Sequence, residues 1–158
     1  MEAQAGKHLT FVLNKEEYGI PINRVKEIIG MMDITGIPKT PRFIKGVINL
    51  RGKIIPLMDL RLKFGMAEQE YTERTCIIVV ELNYDGVQRQ MGIVVDSVSE
   101  VVNIQASELE PPPQYGTQVE EDFLIGIGKV KEKVILLLDI QNVLNPEDMK
   151  LLKEIKGA

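Results

Sequence analysis

The chain carries one pattern twice. Phe43-Ile44-Lys45-Gly46-Val47 returns 80 positions later as Phe123-Leu124-Ile125-Gly126-Ile127, and the match continues without a gap. Ile54-Ile55-Pro56-Leu57-Met58-Asp59-Leu60 then falls on Val134-Ile135-Leu136-Leu137-Leu138-Asp139-Ile140. An earlier block, Gly19-Ile20-Pro21-Ile22-Asn23-Arg24-Val25-Lys26-Glu27-Ile28-Ile29, aligns with Gly92-Ile93-Val94-Val95-Asp96-Ser97-Val98-Ser99-Glu100-Val101-Val102 at an offset of 73, the extra residues falling in a loop. Two units of about 70 residues are too few to stack as a solenoid, and each is long enough to close on a core, so the repeat reads as a tandem duplication.

Each copy opens with a hairpin. From His8 to Leu13 the residues Leu9, Phe11 and Leu13 share one face, and a second strand follows through Tyr18 to Ile22. In the second copy, Thr75 to Leu82 and Val87 to Asp96 flank Tyr84-Asp85-Gly86, where Asp-Gly suits the positive φ of a tight turn. Each copy closes with a further hairpin, turning at Arg51-Gly52 and near Lys131-Glu132. Both then reach an aspartate, Asp59 or Asp139, that ends a strand before a short amphipathic stretch, the setting of a helix N-cap.

Short Ile- and Val-rich strands, about five per copy, predict an all-β fold of two tandem SH3-like five-stranded barrels packed together, with short helices. The expected divisions are 8–72 for the first barrel, 73–145 for the second and 146–158 for a C-terminal helix. That helix is read from the cap Asn145-Pro146-Glu147-Asp148 and from Met149, Leu152 and Ile155 at helical spacing, a stripe expected to pack on a barrel. From Ser107 to Asp122, Pro111-Pro112-Pro113 and Glu120-Glu121-Asp122 predict an extended exposed loop in place of a strand or helix.

The inventory for chemistry is sparse. His8 and Cys76 are single residues of their types, outside any ligand-spaced cluster, so no metal site is expected. Cys76 lies in the apolar run Thr75-Cys76-Ile77-Ile78-Val79-Val80 and reads as a buried, reduced thiol. No Ser, Thr or Cys stands in a nucleophile-elbow pattern, and Ser97, Ser99 and Ser107 read as surface hydroxyls. Gly126-Ile127-Gly128-Lys129 sits between two strands and lacks the remainder of a phosphate-binding fingerprint, so no nucleotide cofactor is expected. A net charge of −4 and few aromatic residues disfavour nucleic acid, although a nucleic-acid-binding double β-barrel is the alternative reading. No run approaches the roughly 18 apolar residues of a membrane span, and the N-terminus lacks a signal pattern, so a cytoplasmic chain without direct membrane insertion is expected.

The copies differ most at Asn49-Leu50-Arg51-Gly52 against Lys129-Val130-Lys131-Glu132. Arg51 presents a planar fork of donors beside a glycine, and Glu27 is a carboxylate partner for it, whether as a surface ion pair or a partly buried one.

These residues resemble a family. Tyr18-Gly19-Ile20-Pro21-Ile22, Val25-Lys26-Glu27-Ile28, Phe43-Ile44-Lys45-Gly46-Val47-Ile48-Asn49-Leu50-Arg51-Gly52 and Ile55-Pro56-Leu57-Met58-Asp59-Leu60-Arg61 are similar to the CheW family, as are Gly92-Ile93-Val94-Val95-Asp96-Ser97-Val98 and Leu137-Leu138-Asp139-Ile140. The resemblance implies a non-catalytic adaptor that couples the cytoplasmic tips of chemoreceptors to the regulatory domain of the histidine kinase CheA, recruited to membrane-bound arrays. It implies a receptor-binding groove with Val25, Glu27, Ile28, Gly46, Arg51 and Val98 as candidates. Glu27 and Arg51 either pair with each other or touch a partner. Ile34, Ile37 and Ile54 are the candidates for kinase contact. The same domain occurs within CheA and, fused to a receiver, in CheV, whereas this chain reads as free-standing.

Overall fold

A computed structural model describes residues 3–84, 86–112, 123–144 and 146–153. Among the described residues, eleven strands and two short helices follow one another along the chain. The first copy supplies β1 (Gly6–Leu13), β2 (Glu16–Pro21), β3 (Val25–Gly30), β4 (Ile44–Leu50), β5 (Lys53–Asp59) and α1 (Leu60–Lys63). The second supplies β6 (Cys76–Tyr84), β7 (Val87–Val95), β8 (Ser97–Ile104), β9 (Leu109–Glu110), β10 (Leu124–Val130), β11 (Lys133–Leu138) and α2 (Pro146–Lys153).

The strands form an all-β fold of two SH3-like sheets, ordered β8-β1-β2-β11-β10-β9 and β3-β6-β7-β5-β4. Neither sheet follows the sequence division at 72/73. Each copy's opening hairpin pairs with the other copy's closing hairpin: β2 runs parallel to β11 through Gly19↔Leu137, and β7 runs parallel to β5 through Gly92↔Leu57. These two pairs occupy equivalent repeat positions, so the exchange is reciprocal. The chain changes sheet at a 3-10 turn, Ile22–Arg24, between β2 and β3, and changes back at Asp96 between β7 and β8.

Three apolar bodies hold this arrangement. Ile48, Ile55, Leu57, Ile77, Val79 and Val94 fill the five-stranded sheet, joined by Ile29 from one edge strand and Leu50 from the other, so the sheet curls around them. Ile104, Ile135 and Leu137 fill the six-stranded sheet. The largest body lies between the sheets and takes Leu9, Phe11, Leu13 and Ile20 from one and Ile78, Val80, Ile93 and Val95 from the other. β6 is therefore buried on both faces, which is why Ile77-Ile78-Val79-Val80 reads as an unbroken apolar run. Burying each such side chain contributes about 1.5–3 kcal/mol. Rings of Phe11, Tyr18, Phe64 and Phe123 continue the central body, the last two stacked 4.6 Å apart.

The repeated aspartates are caps. Asp59 Oδ1 accepts from Leu62 N at the start of α1, and Asp139 Oδ1 accepts from Gln141 N at a 3-10 turn. Their own amides donate to Phe43 and Phe123 carbonyls, each at 2.7 Å. In α2, Met149 packs on the central body.

One expectation is corrected. Within the stretch read as an extended loop, Ala106–Glu108 form a 3-10 turn and Leu109–Glu110 form β9, which pairs with Gly128 and Ile127. The local cause is a capping box between Gln105 and Glu108, whose carboxylate accepts from Gln105 N at 2.8 Å. Cys76 is half-buried at the start of β6, its Sγ 3.3 Å from the Arg74 carbonyl. The readings made of Asp85, of 113–122, of the Asn145 cap and of Ile155 lie outside the described residues.

Candidate partner-binding surface

β3 runs along the edge of the five-stranded sheet, with a bulge between Val25 and Glu27. Val25 packs on the central body and Ile29 on the barrel interior, while Ile28 stands out from the surface, 43% exposed. Glu27 Oε1 accepts from Arg51 Nη2 across the mouth of the barrel. Arg51 lies in the two-residue turn between β4 and β5. Arg51 and Gly52 take φ of 52° and 89°, the left-handed geometry of a type I′ turn, and Gly52 N donates to Asn49 Oδ1 at 2.8 Å. The guanidinium is thereby carried from one edge of the curled sheet to the other, and the ion pair bridges the seam between β3 and β4. With Arg51 70% and Glu27 33% exposed, the pair contributes about 0–1 kcal/mol and acts mainly on surface shape.

The second copy closes its seam differently. Glu100, the counterpart of Glu27, meets Lys133 Nζ at 3.5 Å, and Lys133 also lies 4.0 Å from Glu17. Val98, the counterpart of Val25, likewise packs on the central body from the opposite sheet. Val101, the counterpart of Ile28, is 51% exposed.

Gly46 sits at the bulge of β4 beneath the segment that precedes that strand. At its φ of +136° a Cβ would lie 2.0 Å from the Thr35 carbonyl oxygen, so only glycine lets Thr35 bridge Val47. Gly46 is buried, and its influence on the surface runs through that segment. Ile34, in the same segment, packs against the five-stranded interior, while Ile37 and Ile54 are half-buried. Ile54 faces Asn49 across the β4–β5 ladder. Seven of the nine candidates thus form three groups, Val25, Glu27 and Ile28 with Arg51, Ile34 and Gly46 around Thr35, and Val98 on the other sheet, while Ile37 and Ile54 stand apart from them.

Sequence reasoning missed the polar ties between the barrels. Arg61 on α1 is buried, and its Nη1 donates to Asp96 Oδ2 at 2.6 Å while Nε donates to the Ala67 carbonyl at 3.1 Å. The same Asp96 oxygen accepts from Asn14 N at 2.8 Å, and Asp96 N donates to the Val12 carbonyl. At the equivalent place in the second copy, Gln141 replaces arginine and exchanges two hydrogen bonds with the Asn83 backbone, at 3.0 and 2.7 Å. Lys63 ties α1 to α2 through Asp148 at 2.9 Å and lies 4.6 Å over the Phe43 ring. No local spacing announces pairs this far apart in the chain.

Beside Gly46, Lys45 and Arg42 both lie 3.2 Å from Glu68, and their hydrogen bonds, that of Lys45 first, hold its carboxyl below the usual range. Tyr71 donates to Asp59 Oδ2 at 2.8 Å, and burial followed by that carboxylate pushes its phenol up. Among the described residues, no group of three or more His, Cys, Asp and Glu could hold a metal ion. No helix there is long and apolar enough to cross a membrane.

Comparison with known proteins places these features in a family. The family model described as the CheW-like domain matches residues 7–148. The chain is 42% identical over 154 residues to the chemotaxis protein CheW of Klebsiella aerogenes, covering 98% of this chain and 90% of that one. It is 31% identical over 137 residues to the chemotaxis protein CheW of Helicobacter pylori, covering 87% and 80%. Among solved structures, the scaffolding protein TtCheW of Thermoanaerobacter tengcongensis resembles it with a TM-score of 0.80 at 37% identity, covering 92% of this chain and 96% of that one.

Proposed function

The chain belongs to the CheW family of chemotaxis scaffold proteins, and from that premise we propose that it is a non-catalytic adaptor coupling chemoreceptor tips to the histidine kinase CheA. The observation that supports this reading is the span of the family match: 7–148 takes in strands of both sheets and both sheet crossovers, so both halves of the family's domain are present here. The adaptor works in the cytoplasm and is recruited to membrane-bound receptor arrays.

The receptor side is the region of Val25, Glu27, Ile28, Gly46, Arg51 and Val98. A helical hairpin has an aliphatic stripe at three- and four-residue spacing, and an exposed Ile28 beside the Glu27–Arg51 pair offers such a stripe one apolar contact and a polar rim. Gly46 acts on the segment before β4, where it seats Thr35. The kinase side is the end of the first barrel around Ile34, Ile37 and Ile54, where half-buried side chains could dock against CheA's own CheW-like regulatory domain. The repeat divisions 8–72 and 73–145 remain useful as sequence units that exchange hairpins within one folded body.

Titration calorimetry of the full chain into the CheA regulatory domain from the same organism tests the proposal. Saturable one-to-one binding is expected; heat indistinguishable from dilution at high protein concentration would sink the adaptor reading.

A further inference from the structure

The two barrels are not filled alike. Thr10 pairs with Gly19 as Val79 pairs with Gly92, so His8 and Thr10 take the positions that Ile77 and Val79 fill in the other barrel. Both polar residues are buried. Thr10 satisfies the bulge between β1 and β8, donating to the Glu100 carbonyl at 2.9 Å and accepting from Glu100 N at 3.2 Å. His8 is held through Nδ1, 3.0 Å from the Gly6 carbonyl, and forms part of the wall of a cavity of about 360 Å³. That volume falls within the span of small-molecule sites, about 300–1,000 Å³.

Charge defines what the cavity could take. Lys7 and Arg24 both line it, and among the described residues neither takes part in an ion pair. Among the described residues, Arg24 makes one side-chain hydrogen bond, a long one of 3.5 Å from Nη1 to the Glu81 carbonyl, and it also lines a smaller cavity beside Glu81, Asn83 and Gln88. Asn23 adds an amide to the lining. Among the described residues, the one carboxylate in the lining, Asp139, is already engaged: Oδ1 accepts from Gln141 N at 3.1 Å and Oδ2 from Asn142 Nδ2 at 2.7 Å. In a chain of net charge −4, one concavity thus gathers two cations that, among the described residues, take part in no ion pair. An arginine fork suits the planar, paired oxygens of an oxyanion.

We propose that this cavity binds a small molecule bearing a carboxylate or phosphate group, with Arg24 and Lys7 as its charged ligands and Asn23 as a neutral donor. Asn23 and Arg24 belong to the 3-10 turn that carries the chain from one sheet to the other and leads directly into β3. An occupant would therefore brace the crossover at the root of the strand that bears Val25, Glu27 and Ile28.

The test is an amide-resolved NMR titration of the full chain with sodium phosphate and, separately, sodium succinate, each against sodium chloride at matched ionic strength. Saturable shifts centred on Lys7, His8, Asn23 and Arg24 are expected for at least one of the two, with a Kd of about 1 mM or below. The two arms separate phosphate from carboxylate recognition. Arg24→Gln should weaken binding at least about tenfold, and Lys7→Gln, at an exposed position, provides the same comparison should the first variant misfold. Shifts that track chloride equally, or titrations unchanged in both variants, would overturn the assignment. The outcome is independent of whether the chain couples a receptor to a kinase.

Discussion

Gly92 on β7 lies so close to Leu57 on β5 that a Cβ on the glycine would come 2.9 Å from the leucine Cδ1, and 2.8 Å from Ile77 Cγ2. Leu57 and Ile77 pack into the space of this missing methyl where the exchanged hairpins meet. Gly92→Ala is expected to destabilise the fold by about 1–3 kcal/mol, the range for overpacking a filled core. Gly19 stands in the equivalent place with looser contacts, 3.1 and 3.2 Å, so Gly19→Ala should cost less. Urea unfolding of both variants gives the ranking directly, and equal midpoints would contradict it.

Arg51→Ala separates surface shape from folding. The Glu27–Arg51 pair is largely solvated, so its loss should change stability by no more than about 1 kcal/mol. The melting curve should barely move, whereas binding to the receptor tip, if this surface makes it, should fall. A large loss of stability would show that the pair holds the barrel closed and would remove the variant as a probe of binding.

Local features of this fold were legible in the sequence because they are made by near neighbours. The hairpins from His8 to Ile22 and around Arg51-Gly52 and Lys131-Glu132 and the caps at Asp59 and Asp139 follow from alternation and turn chemistry, whereas the pairing of Glu27 with Arg51, 24 residues apart, stood open beside partner contact. The hairpin exchange was not legible, because a tandem repeat has the same one-dimensional pattern whether each copy closes on itself or on its twin. The unbroken run Ile77 to Val80 was the available hint, since burial on both faces requires a layer on each side. Arg61 and Asp96 were likewise hidden. Each looks like an ordinary surface charge until the crossover at Asp96 is folded back over α1.

Arg61 and Asp96 form a buried tie at the point where the chain passes from one sheet to the other. Removing the arginine strands a carboxylate that is only about a quarter exposed, at 26%. Breaking a buried pair costs about 3–5 kcal/mol, and Asp96's partial exposure places Arg61→Ala at the lower end. Asp96→Asn should be milder, since an amide oxygen can still accept from Asn14 N. Chemical denaturation of the two single variants and the double gives the coupling, and a coupling near zero would mean that packing of the arginine stem carries the effect.

The alkaline limb of stability should be governed by two phenols. Tyr71 is pushed above its ordinary value of 10.0 by burial and by its bond to Asp59, and Tyr84 by burial and by the charge of Asp148. A raised value means that the folded protein keeps these protons while the unfolded chain releases them. Below about pH 10 both states are protonated and the groups do not make stability pH-dependent. Above it the unfolded state binds fewer protons, so the free energy of unfolding falls as pH rises. Wild-type stability should therefore decline from about pH 10 upward. Tyr71→Phe and Tyr84→Phe should each flatten that decline, whatever their effect at neutral pH. Tyr71→Phe also removes the donor to Asp59 Oδ2, so it should cost stability at neutral pH while reducing the alkaline slope. Urea midpoints measured between pH 7 and pH 11 distinguish the two effects, and an alkaline slope unchanged in the double variant would show that other groups control it.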